Sequence, residues 1–189
     1  MNWFLRTKRM NFRELSLKDE DLIYDLDSDP EVMKYITLGV TSTREDIQIA
    51  LKKTEELFQK HEGRFGYWAV IDSYTSEFMG WFHFRPSKSD PDNIQRIELG
   101  YRFKKKFWGQ GFATEGSMAF IEYGFKNLKV SEIYAIALKD HTSSMRVMEK
   151  VGLKFVREFI SPDFAGTTYL DVEYAIKRDD WLKVMKSNE

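Results

Sequence analysis

The alternation of apolar and polar positions predicts a first strand, a helical stretch, a run of strands, and then a series in which helices and strands alternate. Met10 to Leu15 reads as a short strand. Ser16 follows as a helix N-cap, and Leu22, Ile23 and Leu26 share one helical face. Asp29-Pro30 opens another short helix, with proline in its first turn. From Thr43 to Lys60 the residues Ile47, Ala50, Leu51, Thr54 and Phe58 recur at helical spacing and predict a long helix. The runs 66–71, 78–84 and 95–102 are aromatic and β-branched, which predicts three strands. Pro86 to Asn93 lies between two of them and reads as a hairpin loop rather than a domain boundary. A helix over 111–128, a strand over 132–137, a helix over 143–151, strands over 153–160 and 168–177, and a last helical turn or two over 178–186 complete the pattern. In the last strand Leu170, Val172, Tyr174 and Ile176 occupy one face, and Tyr169, Asp171 and Glu173 the other. This order predicts an α+β or mixed α/β layout, with a largely antiparallel first half and a strand–helix–strand crossover in the second. Without repeats or a Gly/Ser linker, one domain over 1–189 is expected.

Composition narrows the function classes. A net charge of −1 calls for neither nucleic acid nor a membrane surface as partner. The absence of cysteine removes disulfides, thiolate metal sites and cysteine nucleophiles together. His61, His83 and His141 are far apart with no ligand spacing, so no metal is expected. Met1 to Met10 has no apolar core for a signal peptide, and no apolar run is long enough for a bilayer. A cytoplasmic protein is the expectation.

The chemistry concentrates between Glu98 and Glu115. A strand ends, a basic loop with Gly109 and Gly111 follows, and a helix begins. A helix N-terminus exposes unpaired N–H groups and partial positive charge, which suits phosphate. The two glycines let the backbone bend toward an anion, and Lys104, Lys105 and Lys106 add charge. A lone G-x-G is also compatible with a lysine-capped surface loop. Neither G-x-x-x-x-G-K-[ST] nor G-x-G-x-x-G is present, which argues against a P-loop or a Rossmann site. In the helix that follows, Gly116 and Gly124 imply close packing on the sheet.

Lys106-Phe107-Trp108-Gly109-Gln110-Gly111-Phe112-Ala113 resembles the [RQK]-x-x-G-x-G-x-A pyrophosphate loop of the GCN5-related N-acetyltransferases. Glu98-Leu99-Gly100-Tyr101 and Ser144-Met145-Arg146-Val147-Met148-Glu149-Lys150-Val151-Gly152-Leu153 resemble the branch of ribosomal-protein alanine and serine N-acetyltransferases, the RimJ/RimL type. So do Arg6 to Arg13 and Asp29 to Met33, and the likeness runs roughly from Leu5 to Trp181.

This resemblance implies a twisted, mostly antiparallel sheet with a splayed strand pair, and acetyl-CoA as co-substrate. Backbone groups of the Tyr101-Arg102-Phe103 segment would meet the pantetheine arm. Lys106 belongs to the loop motif. N–H groups of Trp108, Gly109, Gln110, Gly111, Phe112, Ala113 and Thr114 would hold the pyrophosphate. An N–H near Tyr101 would polarise the thioester carbonyl. Glu98 is the first candidate for the base that takes a proton from the amine, against a strand carboxylate paired with a cation. Ser144 is either the cap of its helix or a contact to the cofactor or departing thiolate. His141 stands where many relatives place a cofactor-binding asparagine, and Met148 where other branches place an acidic tyrosine.

His83, in an aromatic strand, is a further acid–base candidate, and a structural histidine is the alternative. The acidic stretch Asp19, Glu20, Asp21, Asp25, Asp27, Asp29 and Glu31 could attract a cationic amine or could be a solvated helix face. Trp3, Phe4, Tyr35, Trp68, Trp81 and Phe164 are candidates for an acceptor pocket, or for core. The expected activity is acetyl transfer to a protein N-terminus or a small amine in a ternary complex, by a monomer or homodimer. A non-catalytic acyl-CoA-binding module on the same fold is the competing expectation.

Overall fold

The computed structural model describes residues 3–164 and 166–187. It contains one eight-stranded sheet in the order β1-β2-β3-β4-β5-β6-β8-β7. The strands are β1 (Leu5–Arg6), β2 (Met10–Glu14), β3 (Gly66–Asp72), β4 (Phe78–Pro86), β5 (Arg96–Phe103), β6 (Glu132–Leu138), β7 (Lys154–Ile160) and β8 (Leu170–Lys177). Every neighbouring pair is antiparallel except β5 and β6, which are parallel. The helices are α1 (Glu20–Asp27), α2 (Pro30–Met33), α3 (Arg44–Lys60), α4 (Phe112–Tyr123), α5 (Thr142–Lys150) and α6 (Arg178–Ser187).

Each face of the sheet buries its own cluster. On one face Ile23, Leu26, Ile47 and Leu51 from α1 and α3 cover Ala69, Ile71 and Phe78. On the other, Phe112, Phe120 and Ile121 of α4 and Met148 of α5 pack on Phe82, Phe84, Leu99 and Phe103. Phe4 stacks on Trp68 at 4.5 Å: of these two candidate pocket aromatics Trp68 is core, and Phe4 is half-buried against it. The long helix α3 begins in a capping box, in which Thr43 and Asp46 bond reciprocally.

Two features differ from the pattern expected of the chain. The helix over 111–128 is α-helical only to Tyr123 and continues as a π-turn over Gly124–Leu128. Here the helix is pressed onto the sheet: a Cβ at Gly124 would lie 2.6 Å from Phe84 and 3.0 Å from Ile133. On β8, Asp171 and Glu173 are both buried although they are acidic, and Glu173 is paired with Arg96 and Arg157.

Candidate active site

The site begins where β5 and β6 part. Their pairing covers only Arg96↔Glu132, Ile97↔Ile133 and Glu98↔Tyr134, although β5 runs on to Phe103 and β6 to Leu138. The direction of each amide in β5 follows from its ends. Lys104 N–H donates to the Met79 carbonyl of β4, and the Gln95 carbonyl accepts from Ser131 and Glu132 beside β6. Even-numbered residues of β5 therefore face β4, and odd-numbered ones face β6. Beyond Glu98, Leu99, Tyr101 and Phe103 turn their backbone polar groups into the gap that opens as β6 diverges, with no ladder partner there. A bulge in β4 helps set this geometry. The register shifts between Val70 and Ile71, and Gly80 adopts φ +150°, where a Cβ would stand 2.0 Å from the Arg102 carbonyl oxygen.

At the end of β5 the chain makes a short 3₁₀ turn (Lys105–Phe107) and enters α4 through Gly109 and Gly111, at φ +73° and +82°. Both values lie in the left-handed region that side chains disfavour. Among the described residues, the amides of Gly109, Gln110, Gly111, Phe112, Ala113 and Thr114 have no acceptor. Six N–H groups at a helix N-terminus form an anion cradle. Arg9 clamps this loop from the turn just before β2: its Nε bonds Glu115 at 2.6 Å, its Nη1 bonds the Gln110 carbonyl at 2.9 Å, and its guanidinium lies 4.2 Å over Phe112. Nothing in the sequence alone singled out Arg9, because it acts across more than 100 residues.

Three expected cofactor contacts are placed elsewhere. The Trp108 amide donates to the Lys105 carbonyl and its indole to the Phe103 carbonyl at 2.8 Å, so it braces the loop rather than offering a free N–H. The Lys106 ammonium pairs with Glu77. Arg102 faces away from the opening, pairs with Asp27 at 2.5 Å and lies over Trp81. Gln110 donates its side chain back to the Lys106 carbonyl at 2.7 Å, leaving its amide free.

Across the opening stands the N-terminus of α5. Ser144 is buried, and its Oγ lies 3.4 Å from the Tyr101 hydroxyl, which joins β5 to α5. Burial raises the Tyr101 pKa against the opposing bond from Ser144. No side-chain cap bond from His141 to α5 exists. His141 instead stacks on Tyr35 at 4.3 Å, and burial pushes its pKa down to about 4. Met148 is buried in the core.

The opposite face of β5 carries a compact polar cluster. Glu98 Oε2 lies 3.1 Å from Arg85 and 3.4 Å from the Tyr134 hydroxyl, and Oε1 lies 3.3 Å from His83 Nε2. Burial alone would raise the Glu98 pKa, but His83 and Arg85 outweigh it and bring the carboxyl down to about 2. Burial lowers the His83 pKa, and the Arg85 charge lowers it further. The sequence separates these four residues by up to about fifty positions, and strand register brings them together.

The acidic stretch is largely neutralised by cations distant in sequence. Asp19 pairs with Arg13, Glu20 and Asp21 with Arg44, Asp25 with Lys104, and Asp27 with Arg102. Asp29 caps α2. A cleft of about 350 Å³ between Asp25, Ser28, Asp29 and Lys104 to Lys106 lies off the β5–β6 opening and contains neither Glu98 nor Ser144. Among the described residues no group of three His, Asp or Glu side chains could hold a metal, and no helix is long and apolar enough to cross a membrane.

A strand pair that opens above an anion cradle defines an acyl-CoA-dependent transferase site, and the comparisons agree. The family profile described as "Acetyltransferase (GNAT) domain" matches residues 9–154, and the chain belongs to this family. It is an N-acetyltransferase with the GNAT fold, and acetyl-CoA is the family's acetyl donor. It is 31% identical to an FsC-acetyl coenzyme A-N(2)-transacetylase of Aspergillus fumigatus, across 96% of this chain and 79% of that protein. A GNAT-family acetyltransferase of Bacillus anthracis superposes with a TM-score of 0.78 at 27% identity, covering 93% of this chain and 98% of that one. A spermidine N-acetyltransferase from Vibrio cholerae, solved with CoA and spermine, shares the fold with a TM-score of 0.72 at 18% identity over 93% and 99% of the two chains.

Proposed function

We propose that residues 1–189 form one domain that transfers the acetyl group of acetyl-CoA to a primary amine by direct attack in a ternary complex. The observation that carries this reading is the alignment of six free amides at 109–114 with the unpaired edge of β5. The diphosphate would sit on the amides of Gly109 to Thr114, and the pantetheine arm along the Tyr101 and Phe103 backbone. The Tyr101 N–H would meet the thioester oxygen, where charge develops as the amine adds. The amine nitrogen bonds to the acetyl carbon, the carbon–sulfur bond breaks with its electron pair on sulfur, and one amine proton is surrendered. Ser144 and the Tyr101 hydroxyl stand where the departing thiolate would need donors.

The acceptor proposed is a primary amine on a small molecule or at a protein N-terminus. The transacetylase relative and the spermidine enzyme support the first, and the RimJ/RimL-type motifs support the second. Catalysis is favoured over a silent CoA-binding module because Glu98, although paired with Arg85, also faces His83 on the polar side of β5.

The test is release of CoA thiol from acetyl-CoA in the presence of spermidine, FsC or peptides beginning with alanine or serine. Intact-mass analysis of each acceptor should show a gain of about 42 Da, one acetyl replacing one hydrogen. CoA binding without thiol release on any amine would favour the module. No CoA binding would remove the assignment altogether.

A further inference from the structure

His83 lies on the polar face, and the reaction outlined above does not use it. Its side chain is nearly buried, and neither ring nitrogen has a hydrogen-bond partner among the described residues. Buried polar groups in folded proteins are nearly always paired, so two unpaired nitrogens on one ring require an explanation. The ring is also held in place. It pairs in register with Gly100, and a Cβ at Gly100 would lie 2.5 Å from Cε1 and 2.6 Å from Nε2, so only glycine admits it. Trp81 stacks on it at 5.8 Å, and Tyr67 packs edge-on at 5.4 Å.

Gly100 is bonded to Tyr101, whose N–H faces the opening. The imidazole therefore lies over the peptide nearest the proposed thioester, on the face opposite α4 and its aromatic packing. Glu98 is poorly suited to accept the proton itself. Its Oε2 is already held by Arg85 at 3.1 Å and by the Tyr134 hydroxyl at 3.4 Å, so it has little capacity left for a further proton.

We propose, resting on the acetyltransferase reading above, that His83 is the catalytic base and Glu98 its positioning residue. Nε2 faces Glu98 Oε1 at 3.3 Å, which places the ring proton on Nε2 and leaves the Nδ1 lone pair to accept from the amine. The alignment is short of a hydrogen bond in the free protein, as catalytic contacts often are before both substrates are bound. In the step, Nδ1 takes the proton that the amine loses as the C–N bond forms. The imidazolium so formed is balanced by Glu98. It then releases the proton through solvent to the CoA sulfur, which has kept the C–S electron pair. The charged or titratable groups around the ring are Tyr67 on β3, Arg85 on β4, Glu98 on β5 and Lys88 in the following loop. Burial, and after it the charges of Arg85 and Lys88, lower the ring's pKa against the opposing pull of Glu98 and so favour the neutral, proton-accepting form.

The experiment compares wild type, His83→Gln, His83→Ala and Glu98→Gln in kcat over pH 5–9, with acetyl-CoA and the amine that wild type acetylates fastest. CoA affinity and the far-UV spectrum are followed in parallel. His83→Gln should lower kcat about 100-fold, the scale of a lost general base, with CoA affinity unchanged. It should also abolish the acidic limb below pH 6.5. Free imidazole should restore part of the His83→Ala rate, and Glu98→Gln should move the limb rather than remove it. A His83→Gln enzyme within threefold of wild type with its limb intact would overturn the proposal. So would a loss that imidazole does not relieve while Glu98→Gln removes the limb. Wild type that binds CoA but acetylates nothing would overturn the underlying reading too, and is recognised without any variant.

Discussion

Substitution at Gly111 separates backbone strain from charge at the proposed diphosphate site. Gly111 sits at φ +82° at the mouth of α4, and a Cβ there would meet only Arg9 Nη2, at 3.6 Å, an ordinary contact. Gly111→Ala therefore costs only the left-handed backbone, about 1–2 kcal/mol of stability. For a chain of this size each kcal/mol lowers Tm by about 2–4 °C. Its CoA affinity should stay within about threefold of wild type. Gly111→Asp carries the same strain and adds a carboxylate that can fold back and accept from the bare amides of the first helical turn, as an N-cap aspartate does. The same carboxylate would lie about 5 Å from a bound phosphate, a repulsion of about 1 kcal/mol in water and about 3 kcal/mol at a surface dielectric near 20. CoA affinity should fall by roughly ten- to a hundredfold relative to Gly111→Ala. Calorimetric titration with CoA at low and high salt measures this directly, and the Asp effect should shrink as salt screens the charges. Equal affinity of the Ala and Asp variants at low salt would show that phosphate does not bind here.

Other consequences follow from the same geometry. Arg9→Ala releases the Gln110 carbonyl and Glu115 together, so amide exchange over 109–111 should accelerate and CoA affinity should fall several-fold, read by hydrogen exchange and titration. Gly116→Ala would drive a Cβ to within 2.5 Å of the Phe82 ring, and overpacking of this kind costs about 1–3 kcal/mol, visible in urea unfolding. The Glu98 pKa is depressed in the folded state, so its contribution is present above about pH 4.5 and lost as pH falls through about 2. The stability gap between wild type and Glu98→Gln should therefore close on acidification across that window, and a gap that stays constant from pH 5.5 to 2 would refute the buried pairing. Lys106→Ala removes a side chain already committed to Glu77, and CoA affinity should change less than twofold.

Local pattern reached a long way into this protein. The apolar periods located the major helices and strands, because burying one face imposes a spacing of 3.6 or 2 on the residues themselves. The two glycines before α4 marked the helix entrance, because the left-handed turn there needs them. Pairing across long sequence separations was not legible. The acidic run from Asp19 to Asp27 reads in sequence as either an amine-attracting rim or a solvated helix face, and only the fold brings Arg13, Arg44, Lys104 and Arg102 against it. Lys106 belongs to a motif by position, yet its charge is directed to Glu77, and the clamp that holds the loop is Arg9. The His83–Arg85–Glu98–Tyr134 cluster exists only because β4, β5 and β6 align in one register. Spacing along a chain records which face each residue takes. Which charge meets which, and how far that displaces a pKa, depends on distance and burial, and only the folded sheet sets those.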